Sequence, residues 1–199
     1  MSEKILLLDV ETTPNISYTW GGTREVNVIQ FLKEGHMISF AWKWLGDSRV
    51  QCRSLPMYDI YKKDPESNKL LTLELRDLYE QADLVVGHNL REFDDKVANT
   101  NFIINGITPP KPHRTVDTLK LARKFFKFGS NSLKDLATRL DVPAKAETGG
   151  FKLWLGCMHG VPASWRTMEA YNKQDVVVLE GIYNKFLPWI NQPKLKRIR

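Results

Sequence analysis

Residues 4–9, Lys-Ile-Leu-Leu-Leu-Asp, are a continuous apolar run that stops at a carboxylate. A short run with no polar alternation predicts a central strand covered on both faces. Residues 37–44 and 49–54 are rich in strand formers and flank Leu45-Gly46-Asp47-Ser48, which predicts a hairpin. Residues 70–82 carry apolar side chains at helical spacing, and residues 83–86 read as a short strand that stops at Gly87. Further helices are predicted over residues 90–104, 117–127, 132–140 and 163–187, with Pro109-Pro110 and Pro112 marking a loop. The order points to an α/β fold: a mixed sheet, with an antiparallel hairpin beside parallel strands, flanked by helices.

Residues 12–35 interrupt this pattern. They separate the first two strands, where connections usually run about 4–6 residues. Tyr18 and Trp20 lie within them, so the segment is expected to be an ordered, functional loop. Tyr18, Trp20 and Ile29 either present a stacking or wedging surface to a ligand or pack against the hairpin. Trp42 and Trp44 are expected to be core or hairpin-face residues.

Three sets of carboxylates stand where packing alone does not call for them. Asp9 and Glu11 are two apart on a strand and so face the same side. They lie at its C-terminal end, where open α/β sheets bind ligands; a charged strand end meeting solvent is the bland alternative. Asp175 is sharper. On a helix at about 100° per residue, Trp165, Met168, Tyr171, Leu179, Ile182 and Phe186 fall within about 80° of it. A carboxylate in that stripe costs several kcal/mol unless a cation, an arginine or hydrogen bonds compensate it. Tyr171 lies one turn earlier on the same face.

The third set is Gly87-His88-Asn89-Leu90-Arg91-Glu92-Phe93-Asp94-Asp95. Asn89, with Glu92 three residues on, is expected to cap the helix. Leu90, Phe93, Val97 and Ile104 would define its core face, which puts Asp94 at the border and Asp95 towards solvent. Gly87 would let backbone or substrate come close. Four acids on three elements suit two divalent cations, Mg²⁺ or Mn²⁺ rather than zinc. Paired sites of this kind drive in-line phosphoryl displacement.

Charge adds a partner. The formal net charge is +6, and Lys194, Lys196, Arg197 and Arg199 supply four of those charges. Residues 111–127 hold six basic groups against one acid, Asp117. Lys120, Arg123, Lys124 and Lys127 fall on one helical face, a phosphate track or simply a solvated face. Nucleic acid is the leading candidate for an anionic partner. Cys52 and Cys157 form no disulfide framework or four-ligand zinc site, and Cys157 with His159 reads as incidental. No signal peptide or membrane span is expected, so the setting is a reducing cytoplasm.

With these residues in place, the sequence resembles the DEDD superfamily of 3′–5′ exonucleases, DnaQ-like proteins on a ribonuclease H-like fold. Its first motif is Leu-Leu-Leu-Asp9-Val-Glu11-Thr-Thr, its second residues 87–94, and its third Tyr171-Asn-Lys-Gln-Asp175. The tyrosine marks the DEDDy branch; the DEDDh branch would place a histidine at position 170, which is Ala170. The sequence is similar to stand-alone exonucleases like the proofreading domain of family B DNA polymerases.

The resemblance implies that Asp9 bridges two cations, with Glu11 and Asp175 completing one site and Asp94 holding the second cation through water. Tyr171 would orient the attacking water rather than deprotonate it, because an ordinary phenol pKa near ~10 makes a poor base. The substrate would be the 3′ end of single-stranded DNA or RNA, released as nucleoside 5′-monophosphates. Thr12, Tyr18, Trp20, Asn89, Arg91, Lys120, Arg123 and Lys124 would line its path, and Lys96 flanks the same motif. Residues 1–192 would form one exonuclease domain and residues 193–199 a basic tail. The alternative is a catalytically weak, nucleic-acid-binding or proofreading-type subunit of a replication or repair complex.

Overall fold

The computed structural model describes residues 3–21, 27–143 and 149–190. The apolar run near the N-terminus becomes strand β1, Ile5–Thr12, in which Leu6, Leu7 and Leu8 are fully buried. Both faces are covered, which is why no alternation shows in the sequence. The hairpin is β4, Met37–Trp44, with β5, Gln51–Ser54. Helix α1, Lys69–Gln81, precedes β6, Leu84–Gly87.

Four elements, two of them in one ribbon, escape the sequence pattern. Residues 12–35 are not a plain loop: β2, Ile16–Thr19, pairs antiparallel with β3, Val28–Lys33, as a separate two-stranded ribbon. A ribbon without a core face shows no alternation to read, and Val28, Ile29, Phe31 and Leu32 are all exposed. Strand β7, Arg114–Asp117, ends on the first residue of the predicted helix, and α3, Thr118–Phe125, lies within that helix's expected range. Helix α5, Lys152–Met158, is too short to show a period. Helix α4, Leu133–Arg139, lies within its expected range, and α6, Pro162–Ile190, extends past its own at both ends.

The main sheet has the order β5-β4-β1-β6-β7. β1 is antiparallel to β4 and parallel to β6, and β6 is parallel to β7. Two faces follow from strand parity. Leu6, Leu8 and Val10 join the cluster that includes Leu71, Leu75 and Tyr79 of α1. Leu7 points the other way, into Val176, Leu179 and Tyr183 of α6. Asp9 and Glu11 continue the parity of Leu7, towards α6. Trp42 is in the core and Trp44 packs against it, as expected.

Helix α2 spans Asp94–Ile104, four residues later than its expected start. Asn89 does not cap it: Asn89 sits at φ 66°, and the residue before the helix, Phe93, offers no side-chain cap. Glu92 turns outward to Lys96 and Lys120. The later start shifts the helical phase. Phe93 is 39% and Ile104 75% exposed, whereas Asp94, Ala98, Asn101 and Phe102 are buried. Asp95 does not reach freely into solvent either; it is half-buried and accepts a hydrogen bond from the Tyr79 hydroxyl at 3.0 Å. Gly87 lets its own turn close, because a Cβ there would lie 2.9 Å from Leu90 Cδ1. The basic tail, residues 193–199, lies outside the described residues.

Candidate active site

The parallel strands β1, β6 and β7 end on the same side of the sheet, and the acids gather there. β1 supplies Asp9 and Glu11, and α6, crossing that face, supplies Asp175. One carboxylate oxygen from each lies within 4.8 Å of the other two. This spacing suits oxygen ligands around a hard divalent cation. Asp94 stands beside the trio and is not a member of it. It is only 2% exposed, and its Oδ1 accepts a hydrogen bond from Val10 N–H at 2.9 Å. The first turn of α2 is thereby tied to β1 between Asp9 and Glu11.

Electrostatics make the trio unfavourable without a counter-charge. Burial, then the carboxylates of Asp94, Glu11 and Asp175, push the Asp9 pKa well above the usual carboxylate range. A hydrogen bond from Asn172 opposes the rise. Asp94 is also raised well above its ordinary value, chiefly by burial, with the Val10 N–H acting the other way. A divalent cation removes this repulsion, so the donor set fits a metal chemically as well as spatially.

Tyr171 stands one turn before Asp175. Burial, then the charges of Asp175 and Glu11, raise its phenol, which also hydrogen-bonds Asp175. It therefore keeps its proton at neutral pH and serves as a donor. Its ring meets Trp154 of α5 edge-on, with centroids 5.8 Å apart and planes at 72°. α5 can approach α6 this closely because residue 156 is glycine: a Cβ there would collide with the Ser164 side chain.

Next to the acids is a pocket of about 450 Å³, lined by Thr12, Thr13, Pro14, Gly150, Phe151 and Trp154. Thr12 follows Glu11 on β1, and Trp154 touches Tyr171, so the acids and the pocket are neighbours. Pattern reading missed Phe151 and Trp154 together with α5. It also missed Asn172, which is fully buried. A signal was present: Asn172 lies four residues after Met168 and four before Val176, a polar residue on a core face.

The other expected substrate contacts are scattered. Tyr18 and Trp20 are 57% and 85% exposed, so neither is a core residue. Ile29 is exposed on the same ribbon. Asn89 donates its backbone N–H to Asp117 Oδ1 at 3.0 Å, and the same oxygen caps α3 through Leu119 and Lys120 N–H. Arg91 Nε donates to Thr115 Oγ1 at 2.9 Å. Lys120 pairs with Glu92 at 3.2 Å, while Arg123, Lys124 and Lys127 are exposed. Cys157 is buried in the core, its thiol pushed up to about 12 mainly by burial. Among the described residues no helix is long and apolar enough to cross a membrane.

Comparison with known proteins agrees with this architecture. Over 96% of its length the chain is similar to the family B DNA polymerase from the hyperthermophilic archaeon Pyrobaculum calidifontis, with a TM-score of 0.69 and 16% sequence identity. It spans a quarter of that polymerase chain. No curated protein matches its sequence significantly. A model of the RNase_H superfamily matches residues 6–187, which take in nearly all of β1 and of α6. With its mixed sheet and flanking helices, the chain belongs to the RNase_H superfamily and has a ribonuclease H-like fold.

Proposed function

We propose that this protein is a metal-dependent 3′–5′ exonuclease of the DEDDy type. It hydrolyses phosphodiester bonds at the 3′ end of single-stranded DNA or RNA and releases nucleoside 5′-monophosphates. The observation that carries the reading is the convergence of Asp9, Glu11 and Asp175, with a protonated Tyr171 beside them. Membership of the RNase_H superfamily supports a nuclease, and the likeness to a DNA polymerase supports a nucleic-acid substrate.

Asp9, Glu11 and Asp175 would hold one Mg²⁺ or Mn²⁺ ion, and Asp9 with Asp94 the second. When bound, the cations would lower the pKa of the attacking water and offset charge on the phosphate and the leaving 3′ oxygen. The chain's own residues do the rest. Tyr171, its phenolic hydrogen engaged by Asp175, would accept a hydrogen bond from the attacking water on its hydroxyl oxygen and so set the direction of attack. Asp94, held by Val10 N–H, keeps its carboxylate at the edge of β1. Trp154 and Phe151 offer aromatic surface to the terminal base, in a pocket walled on the other side by Thr12 and Thr13. Tyr18 and Trp20 on the exposed ribbon, with Arg91, Lys120, Arg123 and Lys124, would receive the departing strand.

The test is digestion of single-stranded DNA and RNA with Mg²⁺, with Mn²⁺ and in EDTA. Degradation to mononucleotides is expected with either cation and none in chelator. Full activity after exhaustive removal of metal would overturn the reading.

A further inference from the structure

We propose that a polar seam under the carboxylates orients Asp9 and sets the position of α6 along the sheet, with Asn172 as its positioning residue. The inference rests on the reading that Asp9, Glu11 and Asp175 hold divalent cations. Most of the remaining α6 contact near the carboxylates is apolar; its other polar tie to the sheet, Lys43 Nζ donating to Glu180 Oε2 at 2.6 Å, lies about two turns further along the helix. Met168, Val176 and Leu179 are buried there, and apolar contacts are not directional. A small shift along the helix would keep much of that burial while carrying Tyr171 and Asp175 away from Asp9 and Glu11.

The seam supplies the direction. The Ser54 hydroxyl on β5 donates to Glu169 Oε1 at 2.6 Å. One turn later on α6, the Ser39 hydroxyl on β4 donates to Asn172 Oδ1 at 3.0 Å. Asn172 Nδ2 then donates to two oxygens of Asp9 on β1, its Oδ2 at 2.6 Å and its backbone carbonyl at 3.1 Å. Three adjacent strands thus meet successive polar positions of one helix. Register makes this coherent, since Ser39 pairs with Ser54 across β4–β5 and with Glu11 across β1–β4. The amide can point only one way. Both Asp9 oxygens are acceptors, so the NH₂ must face them and the carbonyl must take the serine proton. Ser39, Ser54 and Asn172 are fully buried, so water does not replace these bonds. The two bonds to Asp9 hold its carboxylate against its own main chain. Partners of this kind behind a metal ligand are typically worth roughly 10–100-fold in metal affinity.

The experiment is Mn²⁺ binding to the full chain by electron paramagnetic resonance, with folding followed by near-ultraviolet circular dichroism. Asn172→Leu keeps the volume but leaves the Ser39 hydroxyl without its acceptor. The double variant Ser39→Ala/Asn172→Leu also removes the orphaned serine hydroxyl and so recovers part of the lost melting temperature, while the two Asp9 oxygens lack their Asn172 donor in both variants. Mn²⁺ affinity is expected to fall roughly 10–100-fold in both variants. Affinity within about two-fold of wild type in either folded variant would overturn the proposal, because packing alone would then account for Asn172. If neither variant folds, Ser39→Ala decides: a measurable loss of Mn²⁺ affinity is expected, and an unchanged value overturns it. Wild-type protein that binds no Mn²⁺ would overturn the cation reading itself, an outcome distinct from equal binding by wild type and variants.

Discussion

Replacing Tyr171 with phenylalanine separates a group that directs chemistry from a group that fills space. The ring stays against Trp154, and only the hydroxyl that hydrogen-bonds Asp175 is lost. Asp175 is half-buried and can recruit water in its place. The stability cost should therefore stay below about 1 kcal/mol, a fall in Tm of at most about 4 °C for a chain of this size. Turnover is a different matter. Misplacing an attacking water costs roughly 10²-fold, equivalent to about 2.7 kcal/mol of barrier. That is near the upper end of what one hydrogen bond to a charged group supplies. Tyr171→Ala removes the half-buried ring as well. Full burial of an aromatic ring is worth about 3–5 kcal/mol, so half of it should lower Tm by roughly 3–10 °C. The assay is single-turnover cleavage at saturating Mg²⁺, beside Mn²⁺ affinity and a melting curve for each variant. A Tyr171→Phe rate within about threefold of wild type, with Mn²⁺ affinity intact, would refute the reasoning and leave Tyr171 as a packing residue.

Asp94→Ala should abolish turnover, whereas Asp95→Ala, which loses its bond to Tyr79, should mainly lower Tm; the reverse pattern in the same cleavage assay would exchange their roles. Trp154→Ala should raise KM by roughly 5–150-fold, the equivalent of about 1–3 kcal/mol of base stacking, and leave Mn²⁺ affinity intact. Metal stabilisation should grow with pH. Asp9 and Asp94 have folded pKa values above their unfolded ones, so their protonated forms favour the fold at low pH. That contribution is lost as pH rises above the ordinary carboxylate range, near ~4, and through the raised values. Melting curves with and without Mn²⁺ should therefore diverge from acid towards neutral pH, and a constant difference would contradict the shifts.

The acids were readable because each breaks a local rule. Asp175 interrupts an apolar stripe, and Asp9 ends an apolar strand, so burial and charge conflict visibly in one dimension. Asn172 breaks the same rule on the same helix more quietly, being neutral, and its role depends on Ser39 and Ser54 from two distant strands. Helix α2 shows another limit. Asn89 and Glu92 have the composition of a cap, but Asp117 captures the Asn89 N–H from a neighbouring strand, and the helix begins at Asp94 instead. That contact spans a proline loop and a strand too short to announce itself. The pocket was hidden for the same reason, since α5 acquires its place by packing Trp154 on Tyr171 rather than by periodicity.

Digestion of one single-stranded oligonucleotide, labelled in turn at its 5′ and 3′ ends, tests the central claim most directly. In Mn²⁺ the 5′-labelled strand should shorten through a ladder, while the 3′-labelled strand should release its label as a mononucleotide from the first time point. Asp9→Ala and Asp175→Ala, folded by circular dichroism, should do neither. Release of mononucleotide first from the 5′ label, or a ladder made equally well by either variant, would contradict a 3′–5′ exonuclease built on these carboxylates.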